Sequence, residues 1–138
     1  MKEYGPFELR DGENLLSLRD ICYSPEDARI SPYNTVFQAK VVAEGFSGQG
    51  EFECDWTEFL RFVSELNELY DFERNEVEID DIEWGNRLRF SMDHSGHLTV
   101  SGHLYGGVSR QTLEFEFWTN QTALALFLQQ IIKQLGTR

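Results

Sequence analysis

The sequence predicts an α+β fold, an antiparallel β-sheet meander with two amphipathic helices packed on one face. Two observations predict it. Residues 76–118 run in short segments whose apolar and polar positions alternate, the period of a half-buried strand. Residues 55–70 and 120–135 instead carry apolar side chains at three- and four-residue spacing, the period of a helix with one buried stripe. Strands that bury one face and helices that bury one stripe satisfy each other in stacked layers. The 138 residues suit one domain over 1–138. With 41% hydrophobic and 14% aromatic residues there is material for a core.

From the N-terminus, "FELRDGENLLSL" reads as a hairpin around Asp11-Gly12, a good turn pair. "CYSPEDARISPYNT" at 22–35 reads as a long loop with two prolines, and loops of that length often carry function. Residues 36–46 form a strand, "SGQG" turns the chain, and "EFECDW" returns it with Phe52 and Cys54 facing in and Glu51 and Glu53 facing out. Asp55 with Glu58 three residues later predicts a capping box. Phe59, Phe62, Val63, Leu66, Leu69 and Tyr70 make the stripe of the helix it opens. Strands follow at 76–84, 87–93, 97–105 and 112–118, with tight turns at Gly85-Asn86 and Ser95-Gly96. Thr119 or Asn120 caps the last helix, which buries Leu124, Phe127, Leu128, Ile131, Ile132 and Leu135, and Gly136 ends it. "GEFECDWTEFLRFVSEL" and "LEFEFWTNQTALALFLQQI" echo each other as strand, polar cap and helix.

Charge narrows the partners. With 24 acids against 12 Lys and Arg the chain carries −12. That balance argues against nucleic acid or an anionic membrane as a ligand, because both want Lys and Arg. It favours a basic partner, or serves solubility alone. The first residues contain no apolar signal core, and the longest apolar run, "ALALFL", is too short to span a bilayer, so a cytoplasmic protein is expected.

"NEVEIDDIEW" at 75–84 concentrates the acid. Acidic residues are depleted in strands, yet here they alternate with Val77, Ile79, Ile82 and Trp84. Keeping Ile82 and Trp84 inside requires a bulge at Asp80-Asp81. Outward positions of the meander are then Glu76, Glu78 and Asp80; Arg87, Arg89 and Ser91; His97, Thr99, Ser101 and His103; and Thr112, Glu114 and Glu116. Arg87 and Arg89 can pair with the first strand's acids. Asp81, Glu83, Glu114, Glu116 and the 51–53 strand remain as surplus acid. Tyr23, Tyr33 and Tyr105 fall outside the core pattern, and tyrosines beside charge serve as interface anchors.

Chemistry beyond binding finds little support. No nucleophile elbow, P-loop or dinucleotide motif is present. His97 and His103 stand about 20 Å apart along one strand, so they cannot share a metal ion. Neither a metal nor a cofactor is expected. Cys54 reads as a small core residue, and no disulfide with Cys22 is expected. The candidate partner-binding residues are Glu78, Asp80, Asp81, Glu83, Glu114, Glu116, Tyr23 and Tyr33. A competing reading is a small-molecule-binding or enzymatic domain on the polar sheet face, which needs a concave pocket with convergent polar groups.

"DWTEFLRFVSELNELY" at 55–70, "FSMDHSGHLTVSGHL" at 90–104 and "LEFEFWTNQTALALFLQQIIKQL" at 113–135 resemble the helix, the glycine-turn hairpin and the closing strand and helix of the WapI-type immunity proteins. These small bacterial proteins are encoded beside contact-dependent toxins. Where that family often has Asp before the "QT" of the last helix, this chain has Asn120, an equally good cap. The resemblance implies a cytoplasmic, non-enzymatic inhibitor that binds the toxic C-terminal domain of a secreted toxin, often a nuclease and therefore basic.

Overall fold

The computed structural model describes residues 1–25, 33–106 and 111–136. Its strands are β1 (Lys2–Tyr4), β2 (Phe7–Asp11), β3 (Asn14–Tyr23), β4 (Thr35–Ala43), β5 (Phe46–Cys54), β6 (Glu76–Asp80), β7 (Arg87–Met92), β8 (His97–Tyr105) and β9 (Thr112–Asn120). The helices are α1 (Trp56–Tyr70), after β5, and α2 (Gln121–Leu135), after β9.

The α+β class holds, but the strands form two antiparallel sheets. The first runs β1-β3-β4-β5 with β2 also on β3, and the second is the meander β6-β7-β8-β9. Each sheet is followed by one helix, so the sequence echo reflects a repeated sheet-then-helix order. The helices cross between the halves: α2 packs on β2 of the first sheet, while α1 packs on β6 of the second and on α2.

The predicted helical stripes are buried at Phe59, Phe62, Val63, Leu66 and Leu69 in α1 and at Leu124, Phe127, Leu128 and Ile131 in α2. A run of ring contacts crosses the whole core. Phe37 stacks on Phe52 within the first sheet and meets Phe59 of α1; Phe59 meets Phe62, Phe62 meets Phe90 of the second sheet, and Phe90 meets Phe127 of α2. Successive centroids lie 4.9–6.4 Å apart, the range in which aromatic pairs add to simple burial. Cys54 also points inward, and burial pushes its thiol up to about 12. Cys22 is half-buried, and both thiols are free.

Caps end the helices much as their sequences suggest. Asp55 accepts from the backbone of Thr57, and Asn120 from that of Ala123; Gly136 takes the left-handed conformation that stops α2. Glu58 does not complete a box: its carboxylate is held by Arg61 at 3.0 Å instead.

"SGQG" is not a turn. The β4–β5 hairpin turns at Glu44-Gly45, with φ of 51° and 86°, as a two-residue turn matched to strand twist requires. Gly48 and Gly50 lie inside β5, where the sheets approach each other. A Cβ at Gly48 would sit 2.7 Å from Leu113, and one at Gly50 would sit 3.1 Å from Leu104 and Asn86. Glycine there permits close approach, and a larger residue would push Leu113, Leu104 or Asn86 aside.

Side chains of α2 cover the free edge at β2. Gln130 of α2 accepts from the Glu8 amide and donates to the Glu8 carbonyl, both at 2.8 Å, serving β2 as a neighbouring strand would. Gln134 accepts from the Gly5 amide. Such cover removes a template for edge-to-edge pairing.

Phe62→Ala should cost about 3–5 kcal/mol, the range for a buried Phe truncation, because Phe62 joins the rings of α1 to those of the second sheet. Chemical denaturation of the variant against the parent measures it. A cost below about 1 kcal/mol would show that the sheets do not share one core.

Candidate functional site

The outer face of the second sheet is ordered in rows by strand register. One row is Asp80, Arg87, His103 and Glu114; the next is Glu78, Arg89, Ser101 and Glu116; the third is Glu76, Ser91, Thr99 and Trp118. In two rows a basic residue stands beside the β6 acid while a second acid occupies β9. Arg87 holds Asp80 at 2.6 Å, and Arg89 holds Glu76 at 2.7 Å and reaches Glu78 at 3.7 Å. The acids of β6 are therefore largely answered within the sheet. Those of β9 are answered weakly: Glu114 meets His103 Nδ1 at 3.1 Å, and Glu116 accepts from the Trp118 indole at 3.0 Å.

Glu78, Glu114 and Glu116 line one open depression together with Arg87, Arg89 and His103. Asp80 stands at its margin through Arg87. The small side chains Ser101 and Thr99 keep the middle of the face low between β7 and β9. Trp118, 72% exposed, stands beside Glu116 on the same side. Sequence reasoning missed it. The parity that points Glu114 and Glu116 outward points Trp118 outward too, and following it to the end of the strand would have found it.

The other proposed contacts lie elsewhere. Asp81 is buried and accepts from the backbone amides of Glu53 at 2.9 Å, Glu83 at 3.3 Å and Trp84 at 2.5 Å. It is a structural acceptor with no free face for a partner. The expected bulge is absent because β6 ends at Asp80. Held by Asp81, the chain turns away from the core, leaving Ile82 and Trp84 about half exposed rather than inside. Glu83 is exposed on this loop, off the rows.

Asn86 completes the join. Its Nδ2 donates to the Glu51 carbonyl and its Oδ1 accepts from the Tyr105 amide, each at 2.7 Å, while its carbonyl accepts from the Asp81 amide at 2.9 Å. The Ile82 amide donates to the Glu53 carbonyl at 3.1 Å. The open edge of β5 is thereby closed by the 81–86 loop. The loop also forms one wall of a cleft of about 370 Å³ between the sheets, where Trp84 and Tyr105 face Gln38, Gln49 and Glu51.

Tyr23 ends β3 and stacks on Trp56 of α1, centroids 4.6 Å apart and planes 5° apart; Tyr4 stacks on Trp56 as well. It serves packing, not a loop. Tyr33 is 42% exposed, and residues 26–32 of the expected loop lie outside the described residues. Among the described residues no group of three His, Cys, Asp or Glu side chains is placed to hold a metal ion, and no helix is long and apolar enough to cross a membrane.

The fold and this face define an α+β protein with a mixed-charge, net acidic surface centred on a meander. Residues 10–137 match the Immunity protein WapI-like family, and the chain belongs to that family. Membership implies neutralisation of a cognate toxin. No curated protein matches the chain. Among solved structures, a chain from the crystal structures of Trypanosoma bruciei MRP1/MRP2 is similar at 13% identity and a TM-score of 0.47, covering 97% of this chain and 83% of that one.

Truncating Asp81 and Glu83 should have unequal consequences. Asp81→Ala strands buried backbone donors and should cost about 2–3 kcal/mol, whereas Glu83→Ala should leave stability within about 0.5 kcal/mol. Equal effects in urea melts would refute the structural role given to Asp81.

The Glu53 carboxyl is raised, first by burial and then by Glu51, Asp81 and Glu83. A raised carboxyl binds its proton more readily folded than unfolded, so this group lowers stability as pH rises through the carboxylate range. Glu53→Gln should therefore melt higher than the parent near neutral pH, with the difference vanishing in acid, where the group is protonated in both states. Thermal melts across pH read this directly.

Proposed function

We propose that this chain is a cytoplasmic immunity protein that binds the toxic C-terminal domain of a cognate secreted toxin, a basic, nuclease-type domain, and blocks it by occupancy without catalysis. The observation that carries the reading is the outer face of the second sheet, where the acids of β9, Glu114 and Glu116, exceed the cations available to them. Beside them stands an exposed Trp118. An exposed tryptophan next to unneutralised carboxylates is the composition of an interface anchor with an electrostatic rim. A toxin domain built to hold phosphate presents Lys and Arg, and this face complements them.

Glu78 and Asp80 act on the same face through their arginine partners. Reversing their charge would also break pairs inside the sheet. Reversal at Glu114 and Glu116 is the cleaner test, because their neighbours are His103 and Trp118. On the polar sheet face the competing small-molecule reading finds an open depression between Glu78 and Glu116, not an enclosed acid pair.

Co-expression with the toxin domain encoded beside this chain tests the proposal. The parent should restore growth and form a one-to-one complex whose association slows as salt rises, since screening sets in at about 10 Å in 0.1 M salt. Glu114→Lys with Glu116→Lys should lose protection while retaining the parent's circular dichroism spectrum. Full protection by that double variant would remove this face from the interface.

A further inference from the structure

The cleft between the sheets plays no part in the sheet-face contacts above, yet it has the make-up of a cation-recognition pocket. We propose that it receives an arginine side chain of the bound partner, with the guanidinium against Trp84 and Tyr105 and its N–H groups directed to Glu51. This deepens the reading under Proposed function and rests on it for the partner's identity.

Four observations point the same way. First, the cleft is a formed concavity of about 370 Å³ with a fixed floor. Asn86 is buried and tied to both sheets, and a Cβ at Gly50 would press on Asn86 and Leu104 at 3.1 Å. Second, one wall is aromatic, with Trp84 half exposed although a tryptophan has much apolar surface to bury.

Third, its polar groups lead to a carboxylate acceptor. Gln49 Nε2 donates to Gln38 Oε1 at 3.3 Å, and Gln38 Nε2 donates to Glu51 Oε1 at 3.1 Å. The relay ends on a carboxylate whose second oxygen takes no hydrogen bond among the described residues, where no cation pairs with Glu51, Glu53 or Glu83 either. A guanidinium supplies five donors, accepts nothing and stacks on aromatic faces, whereas a lysine ammonium lacks the planar fork.

Fourth, the cleft is continuous with the acidic sheet face. Tyr105 follows His103 on the outward side of β8, and their rings lie 4.6 Å apart. One partner can therefore cover both surfaces.

Two measurements test this. In the first, the Trp84 indole resonance, assigned with Trp84→Phe, is followed by NMR while blocked arginine is added at millimolar concentrations, with blocked citrulline and blocked lysine as controls. A saturable shift with arginine, weaker with lysine, absent with citrulline and abolished by Glu51→Gln is expected. Equal responses to arginine and citrulline, or none to arginine, overturn the proposal.

In the second, affinity for the adjacently encoded toxin domain is measured by calorimetry. Trp84→Ala and Glu51→Gln should each weaken it at least about tenfold with unchanged melting temperatures. If both bind within about twofold of the parent while the parent still protects, the cleft proposal falls and the immunity reading stands. If arginine is recognised but the parent neither binds nor protects against the toxin domain, the immunity reading falls and the guanidinium site stands.

Discussion

The open edge of β5 is the constraint on which the arrangement of this protein turns. A sheet edge presents unpaired amides and carbonyls, and a second sheet brought against it must either pair with them or leave them stranded. Here the second sheet does not continue the ladder. The loop after β6 closes the edge with side chains, Asp81 taking the Glu53 amide and Asn86 serving the Glu51 carbonyl. The same two residues hold the loop itself, through the Trp84 amide and the Tyr105 amide. The relative placement of the sheets, the outward turn of Trp84 and the cleft beside it all follow from that closure.

Packing makes the closure worthwhile. Glycines at 48 and 50 let β5 come close to Leu113 and Leu104, and the ring contacts from Phe52 to Phe127 carry one core through both halves. With the inner faces committed to the helices, the outer face of the meander is left for polar residues. Its register sets them in rows, so the acids of β6 meet arginines while those of β9 do not. Charge surplus at Glu114 and Glu116 is thus a consequence of strand order as well as composition.

Features governed by local periodicity were legible in the sequence. The helix stripes, the Asp55 and Asn120 caps, the Gly136 stop and the parity of β6 to β9 are local properties, and the structure has them. What failed was decided by distant partners. Asp81 looked like surface charge because its partners include the Glu53 amide, 28 residues away. Ile82 and Trp84 looked internal because their alternation with acids continues past the end of β6. "SGQG" looked like a turn because its glycines are read locally, while the reason for them is a neighbouring sheet. The split into two sheets has the same origin, since no periodicity marks where a ladder stops. For the candidate face, Glu78, Asp80, Glu114 and Glu116 were placed correctly by parity, and Trp118 was available to the same rule.

Hydrogen exchange at the join tests the central claim most directly, because it reads the edge closure residue by residue in the native state. The amides of Glu53, Trp84 and Tyr105 all donate to side chains of the 81–86 loop. They should be protected together, with opening free energies close to those of the buried β8 amides such as Val100, and Asn86→Ala should lower all three in concert. Exchange of the Trp84 and Glu53 amides at the rate of an exposed loop in the parent would contradict the account, since the sheets would then be held by apolar contact alone.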